Sequence, residues 1–186
     1  RYSQTIMIEV SRLEKILSDL LDYTQKEPLN FGEVDLREIL EESFSMVSKD
    51  LNGGEVKLTK EYSEGIPKVK GDHRQLIQVF SNLFNNAYEA MKGKGTLSLR
   101  VRPVAKNGST FVRIEVEDTG SGIDPENLHN IFNPFYSTKD SGLGLGLPFV
   151  YKIIASHQGQ IEVDNRPGEG VTFIITLPAA REEEKK

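Results

Sequence analysis

The sequence predicts an α+β protein: a two-layer sandwich of one mixed, largely antiparallel sheet with helices on one face, preceded by a long helix. Three observations predict it. From His73 to Met91, the residues Leu76, Phe80, Leu83, Ala87 and Ala90 recur at helical spacing and form one apolar face. Runs over 55–62, 96–104 and 111–116 alternate between apolar and polar residues, as half-buried strands do, and 160–165 and 170–177 read as a last hairpin. Between neighbouring runs stand Asn107-Gly108 and Arg166-Pro167-Gly168, which read as hairpin connections.

In chain order, Ile6, Val10, Leu13, Leu17, Leu20 and Thr24 keep a three-four spacing, with Ile16 and Leu21 widening the stripe. This is an amphipathic helix ending before Pro28, whose seam needs another helix or a second chain. Asn30 to Val34 reads as a short strand, and Asp35 caps a helix over 36–49 with Glu38 at the capping-box position. Asn52-Gly53-Gly54 is a turn before the strand at 55–62, and 68–70 is a further short strand. Asp72 caps the helix that starts at His73, and Gly93-Lys94-Gly95 ends it. After the central hairpin, Asp124-Pro125-Glu126-Asn127 starts a short helix. A helix over 147–156 carries Pro148 in its first turn, where a missing donor costs little. The final 181–186 form a charged tail.

Composition narrows the class. A chain of 186 residues with 37% hydrophobic and 27% charged residues is globular and can bury one sizeable core. A net charge of -5 argues against nucleic acid, which favours a basic face. No run is long enough to span a membrane and no signal peptide opens the chain, so no membrane contact is expected. The absence of cysteine excludes disulfides and thiolate metal sites and fits a cytoplasmic location. The first residues already lie within a helical pattern, which reads as a piece of a longer protein.

Three stretches carry chemistry. Gln75, Gln78, Asn82, Asn86 and Glu89 form a second stripe on the central helix. The amide oxygens of Asn82 and Asn86, one turn apart, suit a hard cation or a phosphate-rich ligand; equally, they read as a satisfied core amide pair. Asp118-Thr119-Gly120-Ser121-Gly122-Ile123 places a carboxylate at a strand end, followed by residues without side chains. Such a carboxylate can accept from an exocyclic amine while the backbone approaches a flat ring, or it can simply cap a turn. Gly142-Leu143-Gly144-Leu145-Gly146 leads into a helix and makes an anion site from backbone donors. It fits neither the dinucleotide fingerprint nor a Walker loop. Lys139 just upstream is either a mobile positive charge for a phosphate or a solvated lysine.

Taken together and in this order, the Asn helix, the Asp-Gly loop, the Phe-rich run Asn133-Pro134-Phe135-Tyr136-Ser137-Thr138-Lys139 and the glycine loop resemble the ATP-binding domain of sensor histidine kinases. That family shares its superfamily with DNA gyrase, Hsp90 and the MutL proteins. The resemblance covers about 34–178, and the short path from Phe135 to Gly142 looks most like the nitrogen-regulation type with a compact lid. It implies a Bergerat-type ATP-binding fold over 28–180. Residues 1–27 are similar to the second helix of the dimerisation and phosphotransfer bundle, so the resemblance implies a homodimer in the full-length protein.

The resemblance also implies roles. Asn86 coordinates Mg²⁺ with Asn82 assisting, and Asp118 accepts from the adenine amine of ATP. Gly120, Gly122 and Ile123 lie at the base, and Gly142, Leu143, Gly144, Leu145 and Gly146 form the lid, with Lys139 beside it. Thr172 holds the adenine-side water network. Glu89 stands where some members carry a lysine, so its phosphate or ribose role stays open. Hydrolytic members carry a Glu where this chain has Asn82, and an amide cannot act as general base. That favours phosphoryl transfer to a histidine, and onward to a response-regulator receiver domain, over hydrolysis. The acceptor is expected outside the chain, since none of His73, His129 and His157 has the family's setting. A non-catalytic nucleotide-sensing or docking module of the same fold is the rival reading.

Overall fold

The computed structural model describes 29–50, 55–138 and 143–180, together with Ile6, Met7, Val10, Leu13, Glu14, Leu17, Leu20 and Leu21. Most of the predicted N-terminal helix, the turn at 52–54, Lys139, Gly142 and the charged tail lie outside these residues. The eight described N-terminal positions are helical and exposed, Ile6 and Leu13 at 62% each, so their apolar seam faces outward.

Among the described residues, seven strands and three α-helices follow: β1 (Gly32–Val34), α1 (Leu36–Asp50), β2 (Glu55–Tyr62), β3 (Val69–Gly71), α2 (His73–Met91), β4 (Lys94–Lys106), β5 (Ser109–Asp118), α3 (Gly146–Ser156), β6 (Gln160–Arg166) and β7 (Gly170–Pro178). The main sheet has the order β2-β4-β5-β7-β6, antiparallel throughout except for β2 beside β4. β1 and β3 form a separate antiparallel pair.

Asp35 opens α1 by accepting from the N–H of Arg37 at 2.8 Å, and Lys92 (φ 52) and Gly93 (φ 80) reverse the chain after α2. Asn107 and Gly108 both hold positive φ, the two-residue turn whose twist matches its strands, so pairing runs out to Lys106 and Ser109. The short helix expected from Asp124 is instead a turn followed by a single 3₁₀ turn at Leu128–Asn130. Asp124 Oδ1 accepts from Glu126, and its carbonyl from Asn127, which favours a tight turn over a helix.

Alternation decides the two sheet faces. Leu97, Leu99 and Val101 on β4, Val112, Ile114 and Val116 on β5, and Val171, Phe173, Ile175 and Leu177 on β7 are buried with α2's Leu76, Phe80, Leu83 and Phe84 in one core. Each such side chain contributes roughly 1.5–3 kcal/mol by leaving water. Ala90, expected on this face, is only half-buried.

The other face of the sheet is an ion-pair lattice. Glu115 accepts from Arg100 Nε and Arg113 Nε, both at 2.8 Å, and Glu117 pairs with Arg100 and Arg166. Burial pushes the Glu115 carboxyl up, but the bonds and charges of Arg113 and Arg100 outweigh it and hold it down at about 2, from an ordinary 4.5. The unfolded chain therefore takes up this proton first, so the stabilisation is complete above pH 4.5 and is lost as pH falls toward about 2. Glu115→Gln is expected to destabilise the fold at neutral pH and to flatten its acid limb; urea midpoints between neutral pH and about pH 3 check this.

Candidate functional site

α2 is placed by its cap: Asp72 sits in extended backbone and accepts from the N–H of Gln75 at 3.1 Å. One face of the helix is core. The neighbouring stripe holds Asn82 and Asn86, both half-buried, with Glu89 exposed beyond them. The Asn82 amide nitrogen donates to the Gln78 carbonyl at 3.0 Å, one turn back. Its Oδ1 therefore turns outward, toward Gly146: a Cβ on Gly146 would stand 3.0 Å from that oxygen. The glycine loop and the Asn helix, 64 positions apart in the chain, meet at this point.

At the other end of the stripe lies the Asp118 loop. Asp118 is the last residue of β5, on the helix-facing side and 3% exposed. Burial raises its pKa, while the N–H groups of Gly120 and Val171 favour the charged form. The Gly120 N–H reaches Oδ1 at 2.8 Å. A Cβ on Gly120 would stand 2.7 Å from the Ala90 side chain, so the loop lies directly on the end of α2. Gly170 is also required, because a Cβ there would come within 1.9 Å of the Asp118 carbonyl.

The loop continues through Gly122, whose φ of 66 and approach to Arg166 exclude a side chain. Ile123 is then gripped on both backbone groups by one residue that sequence reasoning passes over. Asn165 Oδ1 accepts from the Ile123 N–H at 2.8 Å, and Asn165 Nδ2 donates to its carbonyl at 2.7 Å. The residues are 42 positions apart, and nothing local to Asn165 signals the contact.

The lid is drawn together at its base. Phe135, at φ 66, donates its N–H to the Gly144 carbonyl at 3.1 Å. Gly144 (φ 67) lies so close that a Cβ would stand 2.3 Å from the Tyr136 carbonyl oxygen. The Tyr136 hydroxyl donates to Asn127 Oδ1. Leu145 is buried, 3% exposed, so of the two lid leucines only Leu143 remains half-buried in the loop. α3 starts at Gly146, one residue earlier than expected, with no side-chain cap among the described residues. Its first residue lies beside Asn82. Lys139 and Gly142 lie outside the described residues.

One expectation is corrected. Thr172 stands opposite Glu117 on β5, whereas Val171 stands opposite Asp118. Alternation turns Thr172 to the far face of the sheet, in a groove lined by Arg100, Arg113, Glu117 and Arg166. It cannot hold water beside Asp118; Val171 occupies that place. The histidines are also settled in place: His73 is exposed and 3.5 Å from Glu42, His129 is exposed, and His157 is buried.

Fold and site together define an α+β nucleotide-binding domain, in which a helix amide stripe faces a glycine lid and the sheet ends in a buried Asp-Gly turn. Residues 71–181 match the family described as histidine kinase-, DNA gyrase B-, and HSP90-like ATPase, and the chain belongs to that family. It is 35% identical over 176 residues to the sensor histidine kinase ZraS of Escherichia coli K12, covering 95% of this chain and 37% of that protein. It is 34% identical over 187 residues to the sensory histidine kinase/phosphatase NtrB of Rhodobacter capsulatus, covering 96% and 52%. The chain thus spans about a third to a half of these relatives. Among solved structures it is similar to full-length ShkA in complex with AMPPNP (TM-score 0.81, 25% identity, 97% of this chain and 39% of that one). It is also similar to histidine kinase ThkA in complex with the response regulator TrrA (TM-score 0.77, 30% identity, 98% and 52%). The domain is homologous to the catalytic domains of sensor histidine kinases. Among the described residues no helix is long and apolar enough to cross a membrane.

Proposed function

We propose that this chain is the catalytic, ATP-binding part of a sensor histidine kinase, transferring the γ-phosphoryl group of ATP to a histidine outside the chain for relay to a response-regulator aspartate. The observation that carries the reading is the orientation of Asn82, whose amide oxygen faces the start of the glycine-led helix. The residues fit a magnesium nucleotide. Among the described residues no group of three acidic or imidazole side chains could hold a metal. A cation here would share its shell between the oxygens of Asn82 and Asn86 and those of the phosphates. Bound Mg²⁺ would neutralise phosphate charge.

The rest of the chemistry belongs to the chain. Asp118 accepts from the adenine amine, while Gly120 and Gly122 leave room for the ring. The N–H groups at Gly144 to Leu147 face the phosphates at the positive end of α3. Lys139 and Gly142 are assigned to the same lid, and Glu89 to its solvent edge. With an amide at position 82 in place of the carboxylate that hydrolytic members use as general base, transfer to an imidazole is favoured over hydrolysis. The outward apolar seam at Ile6, Leu13 and Leu17 supports pairing of two chains through a helical bundle in the full-length protein. The short lid supports the nitrogen-regulation type within the family, alongside relatives named for other signalling systems.

The test mixes this chain, Mg-ATP and a separate histidine-bearing bundle. Acid-labile phosphate is expected on the bundle and none on this chain. Saturable Mg-ATP binding with no transfer would overturn the kinase reading in favour of a nucleotide-sensing module.

A further inference from the structure

The segment entering the domain is fastened where α2 and α3 meet, by one hydrogen bond to Asp72 and one ring contact with His157. The Asn30 N–H donates to Asp72 Oδ2 at 2.8 Å, while Oδ1 caps α2 through Gln75. Asp72's own N–H donates to Nε2 of His157 at 2.9 Å. Because Nε2 accepts, Nδ1 carries the proton and donates to the Ile153 carbonyl at 2.8 Å. The Phe31 ring packs on the imidazole with centroids 5.0 Å apart. Asp72 and His157 are 6% and 2% exposed, and Gly71 leaves the room: a Cβ there would stand 3.1 Å from the imidazole.

This joint has a mechanical position. Asp72 is the N-cap of α2 and His157 the C-cap of α3. Asn82 lies about 15 Å along α2 from the joint, and Gly146 about 16 Å along α3. Asn82 and Gly146 are the pair that meet at the site. The two helices therefore meet at both ends of α3, once where Gly146 approaches Asn82 in the middle of α2 and once at the Asp72–His157 joint beside the incoming linker.

We propose that Asp72 and His157 are positioning residues for phosphoryl transfer: their joint fixes the angle at which the Asn30–Phe31 linker, and with it the preceding helix, meets the nucleotide site. This rests on the kinase reading, because the angle matters only where a separate acceptor must reach the nucleotide. The joint also responds to pH. The ring meets Phe31 from the linker, Gly71 from β3, and the Ile153 carbonyl and Ser156 hydroxyl from α3; the charged group acting on it is the Asp72 carboxylate. Burial holds the imidazole below its ordinary 6.5, against the raising pull of the Ile153 carbonyl and Asp72. A protonated Nε2 cannot accept, so the joint is intact at pH 6.5 and above and is lost only as pH falls through the imidazole's own value, which burial holds below 6.5.

The test compares full-length protein with His157→Gln, whose amide oxygen replaces the Nε2 acceptor without titrating, and with His157→Leu. Three readouts are taken: hydrogen exchange at the Asn30 and Asp72 amides, autophosphorylation rate, and Mg-AMPPNP affinity. As pH falls through the depressed imidazole value, below 6.5, wild type is expected to lose amide protection and about tenfold in rate relative to His157→Gln, with equal nucleotide affinity. The acceptor histidine titrates in both proteins, so the difference between the two profiles reads the joint. His157→Leu is expected to lose protection and rate at every pH while still binding nucleotide. A His157→Gln profile that follows wild type overturns the proposal even if His157→Leu does not fold. Equal losses of affinity and rate in His157→Leu also overturn it, as a purely structural role. Wild type that binds nucleotide yet transfers at no pH instead sinks the kinase reading, and this inference with it.

Discussion

Asn86→Ala is expected to abolish magnesium-dependent nucleotide binding, weakening affinity at least about 100-fold, while the helix that carries it stays folded. Asn86 is half-buried on the stripe beside the core face, one turn beyond Asn82. Alanine is the better helix former, so the substitution itself does not oppose α2. What is removed is a hard oxygen donor in a site whose described side chains offer no cluster of carboxylates to replace it. Calorimetry with ADP in the presence of Mg²⁺ and of a chelator separates the terms. Wild type should lose affinity on chelation, and Asn86→Ala should bind weakly under both conditions.

Asp118→Asn produces the second large effect and separates binding from stability. The asparagine oxygen can still accept from the Gly120 N–H, which leaves an amide nitrogen pointing where the proposed reading puts the donating adenine amine. Two donors then oppose each other. Losing one charge-assisted hydrogen bond of roughly 1.5–3 kcal/mol weakens nucleotide binding by about ten- to a hundredfold. Stability moves the other way, because Asp118 is a buried carboxylate whose charged form burial disfavours. The neutral amide is expected to hold or raise the melting temperature. A variant that binds normally would remove Asp118 from the base site.

Period and turn chemistry make most of this fold legible in the sequence. The alternation of β4 and β5, the Asn107-Gly108 turn and the Asp72 cap are local signals, and each falls where its residues place it. Thr172 differs from its expected place because of strand phase, not because of strand position. Val171, Phe173, Ile175 and Leu177 are its core face, and that phase alone turns Thr172 away from Asp118. The Asn165 grip and the Asp72–His157 joint are a different case. They link residues 42 and 85 positions apart, and only the packing of α3 and the last hairpin brings them together.

The same contrast holds within the site. The glycine loop announces an anion site, yet its approach to Asn82 depends on α3 lying against α2, which no local signal encodes. Asp118 was legible as a strand-end carboxylate, whereas its burial depends on Gly170 passing close enough to exclude even a methyl group.

Amide NMR of the chain titrated with AMPPNP, with and without Mg²⁺, tests the central claim most directly. With the metal present, saturable shifts are expected at Asn82, Asn86, Gly120, Gly122, Gly144 and Gly146, while β2 stays still. Without it, the Asn82, Asn86 and Gly146 shifts should weaken and those around Gly120 persist. Saturation that leaves Asn82, Asn86 and the Gly120 loop unmoved would contradict a magnesium nucleotide seated between the amide stripe, the buried carboxylate and the glycine lid.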